Sequence, residues 1–425
     1  MEWNQLYAMR SYVRSSLWIV PFLALLLEQI TVHAVAAIDE KIGWSPPWPF
    51  GLAGTQAALQ AIITLNLSFI VFTFGSILVA IQVASGQLTP RIIATTLLCD
   101  KIIRSTVGLF IFALLFAIGT VTRTEASIPN VGVWVAAVLG FISVPVFLFL
   151  IDYTARLLRP VSIMCRVGEE GIAVIESIYP NTINATDSPA ATRSKLGAPD
   201  KVANHTGTSA IVLAVNLNAL VAEAQRLDSV IELVPRVGDF VASGEPLFML
   251  HGGASAINGR RLRGTVAFGP ERTIDRDATF AFRIIVDIAI KALSQAINDP
   301  TTAVLAIDQL QRLIRVVGGR QLHDEQITDS AGRFRVVMRT PDWDDFVQLS
   351  FREIRLYGAG NFQIARRLLA TIENLLQTLP DVRRPALRQE LELLDRAVEA
   401  SYAFPEDRMV ARISDTQGLG GSSVS

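Results

Sequence analysis

"AALQAIITLNLSFIVFTFGSILVAIQV" (residues 57–83) contains no charged residue. It is longer than the ~20 residues that an α-helix needs to cross a ~30 Å hydrocarbon layer. Three other stretches in the first part of the chain are similarly apolar. The four candidate segments run from about Ser16 to Ala37, Ala57 to Val83, Ile102 to Val121 and Val131 to Ile151. The sequence therefore predicts a membrane domain of four transmembrane helices within residues 1–155.

The composition narrows the range of partners. The 425 residues are 51% hydrophobic and carry a formal net charge of -1. No long run of Lys and Arg is present, which argues against nucleic acid as a partner, because phosphate contacts need a clustered basic surface. Neither Cys99 nor Cys165 has the Cys/His spacing of a metal site, and the histidines are scattered singly. We therefore expect the lipid bilayer as a partner and no metal or other cofactor.

Basic residues are unevenly distributed over the loops that flank these helices. Arg10 and Arg14 precede the first helix and Arg156 follows the fourth, whereas the opposite loops carry only Lys41 and Arg123. Lys and Arg accumulate in the cytoplasmic loops of membrane proteins. The sequence therefore predicts that both termini are cytoplasmic.

Two polar features interrupt the apolar segments. Glu28 lies about 21 Å along the first helix from Arg14, counting ~1.5 Å per residue, and a carboxylate at that depth is costly unless it is paired or protonated. It is either an ion or proton site or the beginning of a polar outer end of the helix. Ser68, Gly75 and Gln82 recur at heptad spacing and so share one face of the second helix. Such a stripe either lines a water path or, more commonly, lets helices pack closely.

The hydropathy pattern of the sequence changes after the fourth helix. Residues 156–270 show short strands and turns and predict a cytoplasmic α/β module, interrupted by an irregular, disordered insertion at 181–208. The phrase "VGDFVASGEPLFML" (residues 237–250) resembles the hammerhead turn of biotinyl and lipoyl barrels, with Val241 and Leu247 pointing inward. We therefore expect a small barrel-like β module. Covalent carriage of biotin or lipoate is not expected, since no Lys occurs between Lys201 and Lys291.

Residues 271–412 show the apolar spacing of amphipathic helices and predict a helical cytoplasmic domain that ends in a bundle, followed by a disordered tail at 413–425. Asp287 and Lys291 can pair on one helical face. In "INDPTT" (residues 297–302), Asn298 suits the left-handed end of one helix, Asp299 can cap the next, and Pro300 suits its first turn. Capping thus explains this phrase without a ligand.

The charged phrase "ERTIDRD" (residues 271–277) allows two interpretations. Glu271 and its neighbours can form solvated surface pairs, each worth at most ~1 kcal/mol. Alternatively, Arg272 and Arg276 can clamp an anion or a neighbouring subunit. Glu271, Arg272, Asp287, Asn298 and Asp299 are the candidate residues of a cytoplasmic signature site.

Four stretches of the chain resemble the bacterial membrane-protein family known as domain of unknown function 2254. The stretches are "SGQLTPRII" (85–93), "PRVGDFVASGEPL" (235–247), "GPERTIDRDATFAFRIIVDIAIKALSQAINDPTTAV" (269–304) and "DWDDFVQLSFREIRLYG" (342–358). The resemblance runs from the first helix nearly to the C-terminal bundle. It implies a multi-pass protein of the bacterial inner membrane, and no established activity.

Three functional hypotheses remain. The first is a homo-oligomeric channel or transport-type protein for an ion or small solute, based on Glu28 and the stripe of Ser68, Gly75 and Gln82. The second is a membrane-anchored sensor or scaffold, whose cytoplasmic domain binds a ligand or partner. An enzyme is the third, and no catalytic residue can be named. The sequence contains no nucleophile paired with His and no phosphate-binding glycine loop.

Overall fold

A computed structural model describes most of the chain, and it divides into two compact units. One consists of residues 12–163 and the other of residues 1–11 together with 164–425; we call them the membrane unit and the C-terminal unit. The described residues are 3–16, 18–42, 49–87, 100–124, 129–157, 159–183, 196–252, 258–322 and 326–420. Most of "SGQLTPRII" and part of the insertion predicted at 181–208 lie outside them.

The membrane unit contains four helices that are long and apolar enough to span a membrane. A short helix α1 (Trp3–Ser15) comes before them. The four are α2 (Ile19–Ile42), α3 (Leu52–Gln87), α4 (Lys101–Arg123) and α5 (Asn130–Leu157). The predicted membrane-spanning segments are therefore confirmed as apolar helices, and α3 extends beyond its predicted ends.

Small residues let these helices approach closely. A side-chain carbon on Gly108 of α4 would lie 3.0 Å from Val20 of α2, and one on Gly140 of α5 would lie 2.9 Å from Ile62 of α3. Phe69 of α3 stacks on Phe147 of α5 with ring centroids 4.0 Å apart. Glycine contacts and stacked aromatic rings therefore hold the bundle together.

Strands from distant parts of the sequence build two sheets in the C-terminal unit. One has five strands in the order β1-β5-β3-β8-β7, and the other has three in the order β4-β2-β6. The pairs are antiparallel except for β3 and β8, in which Ile231 is opposite Val336. The strands are β1 (Lys201–Asn204), β2 (Ala210–Val215), β3 (Val230–Leu233), β4 (Phe240–Val241), β5 (Pro246–His251), β6 (Val266–Gly269), β7 (Gln326–Thr328) and β8 (Phe334–Met338).

Several details of this region differ from the sequence-based expectations. The barrel-like module is not confirmed, because the described strands form open sheets. Val241 and Leu247 are buried, as the turn pattern predicts. The segment 181–208 was expected to be irregular, but it contains strand β1, which pairs with β5. The domain boundary predicted at residue 270 cuts through the larger sheet, because β7 and β8 come from the segment predicted to be helical.

The remaining described helices lie wholly or mostly in the C-terminal unit. They are α6 (Pro160–Ile178), α7 (Leu217–Arg226), α8 (Gly259–Arg263), α9 (Ala278–Ala292), α10 (Pro300–Gly318), α11 (Trp343–Gly358), α12 (Phe362–Thr378), α13 (Arg384–Ser401) and α14 (Pro405–Ala411). Apolar residues of α9 and α10 are almost completely buried, including Phe282 and Leu310. Buried apolar side chains therefore account for the packing of this bundle.

The segment after α14 is held in place as far as Gly420, whereas the sequence predicted disorder from residue 413. Asp415 accepts hydrogen bonds from the backbone N–H groups of Gln417, Gly418 and Gly420. The buried side chain of Arg366 donates to the carbonyl oxygens of Ile413 and Gly420. The expectation failed here because a buried arginine on a distant helix provides the partners. Residues 421–425 are outside the described part of the chain.

Candidate ligand pocket

A pocket of about 290 Å³ lies in the C-terminal unit, where the end of α6, the start of α9 and the ends of β2 and β8 meet. Its apolar wall includes Val215, Val237 and Met338. Its polar lining includes Tyr179, Arg236, Arg276, Asp277 and Arg339. The pocket thus combines an apolar surface with three guanidinium groups.

The three arginines differ in how they are held. Arg236 Nη1 donates to Asp345 Oδ2 at 3.0 Å, so an acidic residue near the start of α11 orients it. Arg276 and Arg339 are exposed, and neither has a hydrogen-bond or ion-pair partner among the residues that the structure describes. Two guanidinium forks at the pocket are therefore available to a carboxylate or phosphate, which they match in geometry.

Asp277 caps α9 beneath these arginines and is only 6% exposed. Its Oδ1 accepts from Phe280 N at 3.2 Å and from Thr279 Oγ1 at 2.5 Å. Its Oδ2 has no hydrogen-bond partner in the described chain and lies 3.9 Å from Arg272 Nε. Burial raises the pKa of Asp277, and the hydrogen bond from Thr279 and the charge of Arg272 oppose that rise.

Tyr179, at the C-terminal end of α6, is also buried against the pocket. Burial and, to a smaller extent, the negative charge of Asp277 raise its pKa to about 12. The phenol therefore stays protonated at neutral pH. It can act as a hydrogen-bond donor and does not add negative charge to the pocket.

At Gly238, the stretch "PRVGDF" contacts the stretch "ERTIDRD"; both belong to the sequence that resembles the family. Arg272 Nε donates to the Gly238 carbonyl oxygen at 2.7 Å. The φ angle of Gly238 is +94°, which disfavours other residues. A side-chain carbon at this position would lie 2.5 Å from Asp277 Oδ2 and 2.6 Å from Arg272 Nη2. Only glycine lets the turn of "PRVGDF" approach the "ERTIDRD" segment this closely.

The predicted signature residues do not form a single site. Arg272 lies beside the pocket, whereas Glu271 is exposed at the surface. Asn298 and Asp299 follow the opposite end of α9, which has 15 residues. Helix α9 therefore separates "ERTIDRD" from "INDPTT" by about 22 Å at ~1.5 Å per residue.

Asp287 lies between these two ends and takes part in an ion-pair network. Arg283 pairs with Asp287 one turn further along α9 and donates to Glu353 of α11 at 2.6 Å. The network joins α9 to α11. The pair predicted from the sequence was Asp287 with Lys291, and the sequence indicated neither the pairing with Arg283 nor the partner on α11.

The predicted intramembrane residues are also separated. Glu28 is buried, and its Oε2 accepts from Gln29 Nε2 at 2.9 Å. Ser68, Gly75 and Gln82 are all exposed on the outer face of α3, and a side-chain carbon on Gly75 would meet nothing within 4 Å. Thr55, Asn66 and Thr73 are the polar residues of α3 whose side chains are buried. The stripe therefore faces away from the other described helices of the membrane unit.

Sequence reasoning missed Tyr179, Arg236 and Arg339 as pocket residues. Arg236 belongs to "PRVGDF", so its place in a resembling stretch was a usable signal. Tyr179 and Arg339 offered none, because each follows an ordinary helix or strand and reaches the pocket only through the tertiary fold. Among the described residues, no group of three or more His, Cys, Asp and Glu side chains is placed to hold a metal ion.

A known protein family matches both units of the chain. The family described as "Predicted membrane protein (DUF2254)" matches residues 14–374. The chain belongs to the DUF2254 family. The match covers the membrane unit from α2 onward and every residue that lines the pocket.

Two mycobacterial relatives of this DUF2254 protein are described as uncharacterised proteins. It is 26% identical to the uncharacterised protein Rv1290c of Mycobacterium tuberculosis over 434 aligned positions, which cover 95% of this chain and 80% of the relative. The uncharacterised protein Mb1321c of Mycobacterium bovis matches to the same extent. No solved structure matches the chain.

Proposed function

We propose that this DUF2254 protein is a membrane-anchored sensor whose C-terminal unit binds a small organic anion. The observation that carries the proposal is the pocket lined by Arg236, Arg276 and Arg339 above an apolar wall. The membrane unit anchors the sensor. We further propose that it resides in the bacterial inner membrane with both termini cytoplasmic, as the distribution of Lys and Arg favours.

The lining of the pocket indicates the chemistry of the ligand. A planar guanidinium binds carboxylate or phosphate through paired hydrogen bonds. The apolar residues Val215, Val237 and Met338 favour an apolar body attached to that anionic group. The buried Asp277 disfavours a second anionic group at the base of the pocket. An apolar molecule with one terminal anionic group fits these requirements best.

Calorimetric titration of the full chain in lipid nanodiscs tests this proposal. Hexanoate and phenyl phosphate are the probes, and inorganic phosphate is the probe that lacks an apolar body. Arg276→Ala and Arg339→Ala should each weaken binding of the two organic anions about tenfold to a hundredfold, since a hydrogen bond to a charged group is worth ~1.5–3 kcal/mol.

Arg388→Ala is the matched control, because it removes the same charge from an exposed position on α13. It should leave binding unchanged. Absence of binding of both organic anions to the unmodified protein at millimolar concentration would refute the proposal. Equal weakening by the control and the pocket variants would show that net charge, not the pocket, determines binding.

A homo-oligomeric channel or transport-type protein is the second candidate. The observation that favours it is the exposed stripe of Ser68, Gly75 and Gln82, since a stripe that faces other subunits or a shared water path must point away from its own bundle. This function needs several copies of the chain, because the stripe cannot line a path inside one copy.

Cysteine cross-linking distinguishes this candidate from the sensor. In a background in which Cys99 and Cys165 are replaced by Ser, oxidation should join copies of Ser68→Cys. Thr73→Cys should not be joined, because Thr73 is buried in the bundle. Liposomes containing the protein should also conduct ions or move a solute, and Gly75→Leu should reduce that flux. Monomeric Ser68→Cys in leak-free liposomes would eliminate this candidate.

A further inference from the structure

One face of α2 brings acidic residues against α4 inside the membrane unit. Glu28 lies beside Gly119, since a side-chain carbon at that glycine would be 3.2 Å from Glu28 Oε1. One turn further along each helix, Arg123 Nη1 donates to the Val32 carbonyl oxygen at 2.6 Å. Asp39 continues the same face of α2. The interface thus contains a row of polar groups that begins at Glu28.

Glu28 is buried in the membrane unit, and its carboxyl group has no cationic partner among the described residues. Glu28 is 2% exposed and lies midway along the candidate span Ile19–Asp39. The only hydrogen bond to its side chain in the described chain comes from the neutral amide of Gln29. Burial of an unpaired carboxylate in an apolar medium costs so much that the group takes up a proton instead.

The charged residues that could offset this cost are engaged elsewhere or are remote. On α4, Arg123 donates to a backbone carbonyl, and Lys101 and Arg104 lie at the opposite end of the helix. Helix α3 has no charged residue, and those of α5, Asp152 and Arg156, lie near its C-terminal end. Within α2, the acidic and basic side chains besides Glu28 occur only from His33 onward. No cation in the described part of the membrane unit pairs with Glu28.

A small cavity extends this polar row towards the end of the bundle. It measures about 20 Å³, and its lining includes Val32, Asp39, Thr120 and Arg123. A cavity of that size accommodates about one water molecule. Asp39 Oδ2 is buried and has no hydrogen-bond partner among the described residues. A water molecule there would give it one.

We propose that Glu28 is a proton-binding site within the membrane, and that it exchanges its proton with the aqueous phase through the Asp39–Arg123 cavity. The inference does not depend on the anion pocket of the C-terminal unit. Proton binding requires a carboxylic acid that persists at neutral pH in the bilayer. It also requires that Asp39, and not the opposite end of the bundle, controls exchange.

Modification by N,N′-dicyclohexylcarbodiimide tests the first requirement. The protonated carboxyl adds its O–H across one C=N bond, so that the oxygen bonds to the central carbon and the proton moves to nitrogen. The adduct rearranges to an N-acylurea that retains all atoms of both reactants. Mass spectrometry of the full chain in nanodiscs should locate the adduct at Glu28, with less of it as the pH rises, and none in Glu28→Gln.

Gly119→Ala provides an independent test, because its methyl group presses on Glu28 Oε1. It should slow the modification several-fold while the protein keeps its thermal stability within a few degrees. A Glu28 that stays unmodified from pH 5 to pH 9, roughly the range over which an exposed carboxyl is ionised, would overturn the proposal. So would modification that is independent of pH.

Infrared spectroscopy tests the exchange route. The carbonyl band of a protonated carboxyl should be present in the unmodified protein and absent in Glu28→Gln, and it should shift after transfer to D₂O. Asp39→Asn should slow that shift several-fold. Asp152→Asn should not, since that exposed residue pairs with Arg156 near the other end of the bundle. Equal rates in the two variants would refute the route, and a missing band would refute the site.

Discussion

The turn at Gly238 offers a direct test of how the pocket is assembled. Gly238→Ala introduces a methyl group where φ is +94°, beside Asp277 Oδ2 and Arg272 Nη2. Gly244→Ala is a matched control, because φ is +90° there and nothing lies within 4 Å of the added carbon. The two variants share the backbone strain, and only Gly238→Ala adds a clash.

The expected magnitudes follow from these two environments. Backbone strain of this type costs about 1–3 kcal/mol, and both variants should lose that much stability. At Gly238 the methyl group also displaces Arg272, whose Nε donates to the Gly238 carbonyl at 2.7 Å. A hydrogen bond from a charged donor contributes ~1.5–3 kcal/mol. Gly238→Ala should therefore cost about 1.5–3 kcal/mol more than the control.

Hydrogen exchange measured by mass spectrometry on the full chain is the suitable assay, since it reports stability segment by segment. Gly238→Ala should raise exchange in the first turn of α9 and weaken anion binding. Gly244→Ala should raise exchange only around its own turn. Equal losses in the two variants would refute the reasoning, because they would show that contact with Arg272 and Asp277 contributes nothing.

Three further predictions concern stability. Asp299→Ala should lower the free energy of unfolding by ~0.5–2 kcal/mol in denaturant titrations, as expected for a lost cap, while anion binding is retained. Glu390→Ala should cost ~3–5 kcal/mol in the same titration, because it leaves Arg355 buried without its partner at 2.6 Å. Hydrogen bonds, first that from Arg335, lower the pKa of Asp329 from 3.8 to about 2. A carboxyl group whose pKa is lowered by folding stabilises the fold at any pH above its ordinary pKa. The contribution of Asp329 should therefore disappear as the pH falls from 3.8 towards 2. Asp329→Asn should remove that part of the acid dependence in thermal scans.

Local chemistry explains which parts of the fold could be predicted from sequence. The order Asn298, Asp299, Pro300 predicts a helix end, a cap and a first turn, and each occurs: φ of Asn298 is +46°, and Asp299 Oδ1 accepts from Thr302 N at 3.1 Å. The membrane helices could also be predicted, since length and apolarity are properties of a continuous segment. Periodicity also showed that Ser68 and Gly75 share a face.

Features that depend on distant pairing could not be predicted. Periodicity does not say which face of a helix is covered, so the outward direction of the stripe required the bundle itself. Strand β8 pairs with β3 across the predicted domain boundary. The Arg236–Asp345 contact joins residues 109 positions apart. No local pattern carries information on such pairs, and the candidate pocket consists almost entirely of them.

The polar groups at the two ends of α9 differ in whether they have hydrogen-bond partners in the described chain. This difference indicates which end is structural and which end is available to a ligand. After its C-terminal end, the Asp299 carboxylate binds Thr302 N and Oγ1, and the Asp299 N–H donates to the Ala292 carbonyl at 2.8 Å. Nothing there calls for a ligand. At its N-terminal end, Arg276 has no partner in the described chain, and Asp277 Oδ2 accepts no hydrogen bond. Arg276 is exposed and hydrated, so it can exchange water for an anionic group, whereas the polar groups at "INDPTT" already bond to one another. We therefore propose binding at "ERTIDRD" and treat "INDPTT" as the joint between two helices.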